Sequence, residues 1–127
     1  MGEKKLGIQQ SSTDTDSPLV PLSSAARAAY QAIYDNAQAA MQKTTDGELL
    51  QSLDQSRLNA AAVISADNAY RINANTTTYE ALAHQINTTN DGLKKLQTDI
   101  AGVADKIDEI GQVADGIATV LELVPGI

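Results

Sequence analysis

Few residues of this chain are equipped for chemistry. His84 is the only histidine and cysteine is absent, which excludes a Cys nucleophile, a disulfide and a thiolate metal site. His84 falls on the outward side of the helical pattern described below, where an imidazole is expected at the surface and not as a general base or ligand. Asp105, Asp108 and Glu109 crowd carboxylates into one short stretch, the raw material of cation binding or acid–base work. No histidine or second carboxylate motif accompanies them, so a solvated face is expected. Asp46-Gly47 and Asp91-Gly92 follow no strand, and read as caps or turns rather than phosphate loops. Asn75-x-Thr77 and Asn87-x-Thr89 satisfy the glycosylation pattern, which reads as incidental where no secretory signal is expected. No nucleophile–base pair or metal cluster can be assembled from these residues. The chain is expected not to be an enzyme and to need no catalytic cofactor.

Composition bounds the partners. A net charge of −7 argues against nucleic acid, which needs a positive footprint, and offers no polybasic patch to anionic lipid. Hydrophobic residues make up 43 %, much of it alanine, with no Phe or Trp and 4 Tyr. That inventory favours thin seams between helices over a thick aromatic core. The opening "MGEKKLGIQQSSTDTDSPLV" has no secretory apolar run, and Ser11 and Ser12 come too late for the myristoylation pattern. No uncharged apolar stretch reaches the roughly 18 residues of a spanning helix. The expected location is the cytoplasm or an exported particle, and association with a membrane is not expected.

The elements that must position these residues are helical. Residues 1–20 are polar and turn-prone and are expected to form a loose arm, with Leu6, Ile8, Leu19 and Val20 as its apolar groups. Residues 21–57 hold an alanine-rich helix and a turn. Ala26, Tyr30, Ile33, Ala37 and Ala40 or Met41 share one face, and small residues there let another helix approach closely. "TTDG" at 44–47 interrupts it, with Asp46 placed to cap the next helix. A rotated stripe follows in Leu49 or Leu50, Leu53, Ala60 and Val63 or Ile64.

From Leu58 onward, steps of three and four residues pick out Leu58, Ala61, Ser65, Asn68, Ile72, Asn75, Tyr79, Leu82, Ile86, Thr89, Leu93, Leu96, Ile100, Val103, Ile107, Ile110, Ala114, Ile117, Leu121 and Val124. From Tyr79 on, Thr89 is the sole member that is not apolar. A sustained spacing of about 3.5 belongs to a left-handed coiled-coil seam. The expected fold is therefore all-α: a long heptad coiled coil over 58–124 behind an N-terminal alanine-rich helical hairpin, with a short tail at 125–127. Ile72, Asn75, Tyr79, Leu82, Ile86, Leu93, Leu96, Ile100, Val103, Ile107, Ile110, Ile117 and Leu121 form the expected oligomer core, with Asn68, Asn75 and Thr89 as polar layers that specify register. β-branched residues at both seam positions from Ile100 to Ile110 favour three strands. "NANTTT" at 73–78 and the stretch 88–92 are poor helix formers and are the places where bends would fall. Towards the C-terminus Ala104, Gly111, Ala118, Val113 and Val120 widen the apolar face, and Gly111 is the expected point of close helix approach. Gly102 and Gly116 have no such account. Pro125 should stop the helix near Leu123.

Ile72-Asn73-Ala74-Asn75-Thr76 resembles the Ile-x-x-Asn-Thr element of trimeric coiled-coil stalks, found in phage tail needles and fibres and in trimeric autotransporter adhesins. Ile86-Asn87-Thr88-Thr89-Asn90 departs from it, with Thr89 in place of Asn. Ser65-Ala66-Asp67-Asn68-Ala69 keeps the Asn and lacks the Ile and Thr. The resemblance implies a homotrimer with Asn75 and Asn68 pointing inward, a halide held at the Asn75 layer, and other assembly proteins at the ends. Its implied work is to hold subunits in register in a virion or secretion-type assembly. Two alternatives stand beside it. One is a monomeric or dimeric helical bundle that binds another protein as an adaptor or chaperone. The other is a membrane-active effector built on "IGQVADGIATVLELVPGI", against which Asp115 and Glu122 count.

Overall fold

A helix needs a start signal, a stripe to bury and a stop. The computed structural model, which describes residues 19–103 and 107–127, shows these signals at work in four helices: α1 (Ser24–Met41), α2 (Gly47–Ile72), α3 (Thr76–Ala101) and α4 (Asp108–Leu123). Ser23 Oγ accepts the Ala26 N–H at 3.1 Å, and Asp46 Oδ1 accepts the Leu49 N–H at 3.0 Å, each meeting an orphan donor of a first turn. Asn75 and Thr78 form a reciprocal capping box at the start of α3. α4 begins after Ile107 without a side-chain cap and ends at Leu123, just before Pro125.

Successive helices run antiparallel and close into a ring. α1 packs on α2 and α4, and α3 packs on α2 and α4. The ring is tied at several levels. Arg27 near the start of α1 meets Asp67 near the end of α2, while Lys43 just past α1 meets Glu109 at the start of α4. The interior holds the alanine-rich face of α1, including Tyr30 and Ile33, against Leu53 and Val63 of α2, Ile86 and Leu93 of α3, and Val113 and Ile117 of α4. Each large aliphatic side chain so buried stabilises by about 1.5–3 kcal/mol. The shape is the up-and-down bundle that short connections between apolar-striped helices favour.

The expected long coiled coil is not what forms. α2 buries Leu49, Leu53, Ser56, Ala60, Val63 and Asp67. Continued past the turn, that stripe would fall on positions 81, 84 and 88, whereas α3 buries Leu82, Ile86 and Thr89. The two stripes are out of heptad step, so one straight helix cannot present both to a common seam. The chain breaks at Asn73–Asn75 and doubles back, burying both faces against each other. The row extrapolated upstream as Leu58, Ser65, Asn68 and Ile72 is left on the exposed side of α2, with Leu58 48 % and Ile72 85 % exposed. A second break follows Ala101, where Gly102 caps α3. Val103 and Ile107 are half-buried beside this turn, and Ala104 and Asp105 lie outside the described residues, as does most of the expected arm.

The stretch 88–92, by contrast, is continuous helix. In α4 the buried stripe is Ile110, Val113, Ile117 and Val120, so Leu121 is only half-buried. The close helix approach is at Gly116, where an added Cβ would stand 3.2 Å from Ile33 Cγ1. Gly111 faces open space, contrary to expectation.

Candidate functional site

Three polar constellations cross the bundle, and each ties helices together. The first centres on Asp67, fully buried near the end of α2. Its Oδ1 accepts the Leu22 N–H at 2.8 Å, and its Oδ2 accepts from Arg71 Nε at 2.8 Å and from Arg27 Nη1. Arg71 also donates to the Leu22 carbonyl. A buried carboxylate is tolerable only when paired and hydrogen-bonded, and here it is both. The result pins the segment before α1 onto α2.

The second runs through the middle of the bundle. Tyr30 Oη donates to Asn90 Oδ1 at 3.1 Å, and Asn90 Nδ2 donates to the Val124 carbonyl at 2.5 Å. One turn away, Asn87 exchanges two hydrogen bonds of 3.0 Å with the Ile127 backbone. Burial pushes the Tyr30 phenol above its ordinary range, so it remains a neutral donor.

The third lies in a groove of about 410 Å³ between α2 and α3, lined in part by Ser52, Ser56, Gly92, Lys95 and Asp99. Ser52 Oγ donates to Asp99 Oδ2 at 2.5 Å, and Lys95 Nζ reaches Asp99 at 2.9 Å and Ser52 at 3.3 Å. The Ser52 hydrogen bond, and then that of Lys95, hold the Asp99 carboxyl below its ordinary range. A carboxylate stabilised as its anion is a weakened base towards the serine proton. This arrangement clasps two helices more readily than it activates a nucleophile.

Among the described residues no group of three or more His, Cys, Asp or Glu could hold a metal ion. His84 is exposed on α3. Glu109 is engaged by Lys43 at 2.7 Å, which holds its carboxyl below the ordinary range, and Asp108 is exposed. No helix among these residues is long and apolar enough to cross a membrane.

The expected oligomer core divides into four groups, of which one, Tyr79, Val103, Ile107 and Leu121, is half-buried. Leu82, Ile86, Leu93, Leu96, Ile100, Ile110 and Ile117 are buried, but inside their own chain. Thr89 is buried, and its hydroxyl bonds the Asn59 carbonyl of α2 in the same chain at 3.2 Å. Asn68, Ile72 and Asn75 are exposed. Asn75 spends its carboxamide oxygen on the Thr78 N–H at 2.9 Å, so it caps a helix and presents no inward layer for a halide in this chain. Of the buried polar residues, Asp67 was legible only in part and Asn90 not at all. Asp67 continues the α2 stripe four residues after Val63, with Arg71 four residues on, whereas Asn90 carries no such signal.

Among the described residues, the tip of the α2–α3 hairpin gathers partly exposed apolar side chains. Tyr70 and Tyr79 meet edge to face there, with centroids 6.2 Å apart and planes at 61°. With Ala74, Asn75, Thr76 and Glu80 they line an open cleft of about 360 Å³. Ile72, at the end of α2, is the most exposed large aliphatic of the described residues. No protein family matches the chain, and neither does any curated protein or any solved structure.

Proposed function

We propose that the chain is a non-enzymatic protein-binding bundle, of the adaptor or assembly kind, whose contact surface is the α2–α3 tip. The observation that carries this reading is Ile72, 85 % exposed in a bundle that buries Ile33, Ile86, Ile100, Ile110 and Ile117. Removing such a side chain from water on binding is worth about 1.5–3 kcal/mol. The tyrosines beside it are of the type enriched at interface centres, and the cleft between them offers a pocket for an anchor residue. The polar clasps support the same reading, because they brace the helices behind the tip and hold no activated nucleophile.

The test uses the full chain, with a photo-crosslinking residue at position 73, in the cells that make it. One defined protein is expected to be captured, and Ile72→Asp is expected to reduce that capture by about tenfold or more, equivalent to 1.4 kcal/mol. Equal capture by a folded Ile72→Asp chain would remove the tip from the reading.

A further inference from the structure

We propose that the tip cleft takes an arginine side chain of the partner protein, its guanidinium lying on a tyrosine ring and forking onto the Glu80 carboxylate. The inference rests on the reading of the tip as a protein contact and adds the chemistry of the anchor.

The aromatic walls come first. Tyr70 leaves the last turn of α2 and Tyr79 the first turn of α3, and the break at Asn73–Asn75 between the two helices brings the rings edge to face. Both are half-buried, and both line the cleft. An aromatic ring is negative on its faces and attracts a cation within about 6 Å of its centroid. The chain already makes one such contact elsewhere, with the Arg57 guanidinium 5.9 Å from the centre of the Tyr34 ring.

The charge comes second. Glu80, next to Tyr79, adds an exposed carboxylate to the lining. Among the described residues it takes part in no ion pair or side-chain hydrogen bond. No Lys or Arg occurs from Ile72 to Leu93, so α3 offers it none within helical reach. Arg71, the near cation, is turned back onto Asp67 and the Leu22 carbonyl. The end of α2 and the start of α3 meet here with opposite partial charges that offset one another, which leaves Glu80 to set the sign. The net charge of −7 draws a basic face towards the chain before contact is made.

Arginine suits this cleft better than lysine. Its planar guanidinium stacks on an aromatic face, pairs a carboxylate through two donors at once and is less strongly hydrated than an ammonium. Ile72 beside the cleft offers apolar surface to its aliphatic stem.

The first test uses the purified full chain and N-acetyl-arginine methylamide, with N-acetyl-norleucine methylamide as the uncharged control. The Tyr70 and Tyr79 ring signals, followed by NMR, should shift saturably with the arginine compound, with a Kd in the millimolar range, and about tenfold more weakly with the control. Glu80→Gln, at an exposed position, should weaken the arginine compound by about threefold. Equal response to both compounds would mean a merely apolar cleft, and no saturable shift would mean no guanidinium site; either overturns the proposal. The second readout is the capture at position 73. Glu80→Lys should cut it by about tenfold, because two cations then face each other. Full capture by a folded Glu80→Lys chain overturns the arginine anchor and leaves the tip as a contact. Binding of the arginine compound beside capture that Ile72→Asp leaves unchanged would place the failure in the contact reading instead.

Discussion

Asp67 stands where the α2 stripe would otherwise place another apolar side chain. It anchors the Leu22 backbone and two arginines at once. Removing one partner of a buried charged cluster is costly because the others lose their compensation. Asp67→Ala is expected to lose about 3 kcal/mol by urea denaturation, within the range for broken buried pairs. Asp67→Asn keeps an acceptor for Leu22 and should lose less. Asp99 gives a pH signature of known sign. Its folded carboxyl titrates below the ordinary 3.8, so the stability it contributes is present above that value and is lost as pH falls through the lowered one. Ser52→Ala should move the Asp99 titration up, and by more than Lys95→Ala does, as followed by carboxyl-carbon NMR. A sequence shows that Asp67, Ser52 and Asp99 exist. It does not show that positions so far apart in the chain meet, because spacing rules reach only along one helix.

At the scale of the element, local signals were the legible ones. The α1 face, the Asp46 cap and the stop before Pro125 were all readable from the chain, because each depends on residues within a turn or two. The α2 face was partly read. Leu49, Leu53, Ala60 and Val63 lie on the expected stripe and are buried, but the seam extrapolated through Leu58 and Ile72 lay on the wrong side. Asn75 was placed at a register-setting position and instead closes a turn, since an Asn in a run of threonines suits an N-cap at least as well as a seam. The glycines of α4 make this scale testable. Gly111 is exposed and has nothing within 4 Å of an added Cβ, so Gly111→Ala should stabilise by up to about 1 kcal/mol through helix propensity. Gly116→Leu should destabilise by about 1–3 kcal/mol, because it drives bulk into Ile33. Urea midpoints of the two variants should move in opposite directions.

At the scale of the whole molecule, the spacing that predicted a trimeric stalk is shared by four-helix bundles, whose helices also pack with coiled-coil-like geometry. Heptad order says that a helix has a partner and is silent on whether the partner belongs to the same chain. Here the deciding feature is the three-residue break at Asn73–Asn75 between stripes that are out of step. Since the four buried stripes pack on one another, little apolar seam remains for an obligate trimer. Sedimentation equilibrium is therefore expected to give a mass near 13.4 kDa. A threefold mass would restore the inter-chain seam.

The alanines of α1 carry an evolutionary consequence. Ala26, Ala37 and Ala40 lie at 3 %, 0 % and 0 % exposure, inside the core shared by the packed helices. Bulk is therefore forbidden where the side chains are smallest, while Leu50 and Leu58, at 37 % and 48 % exposure, are free to drift. In a library of single changes, the usual ranking of a leucine above an alanine would invert along this pair of helices.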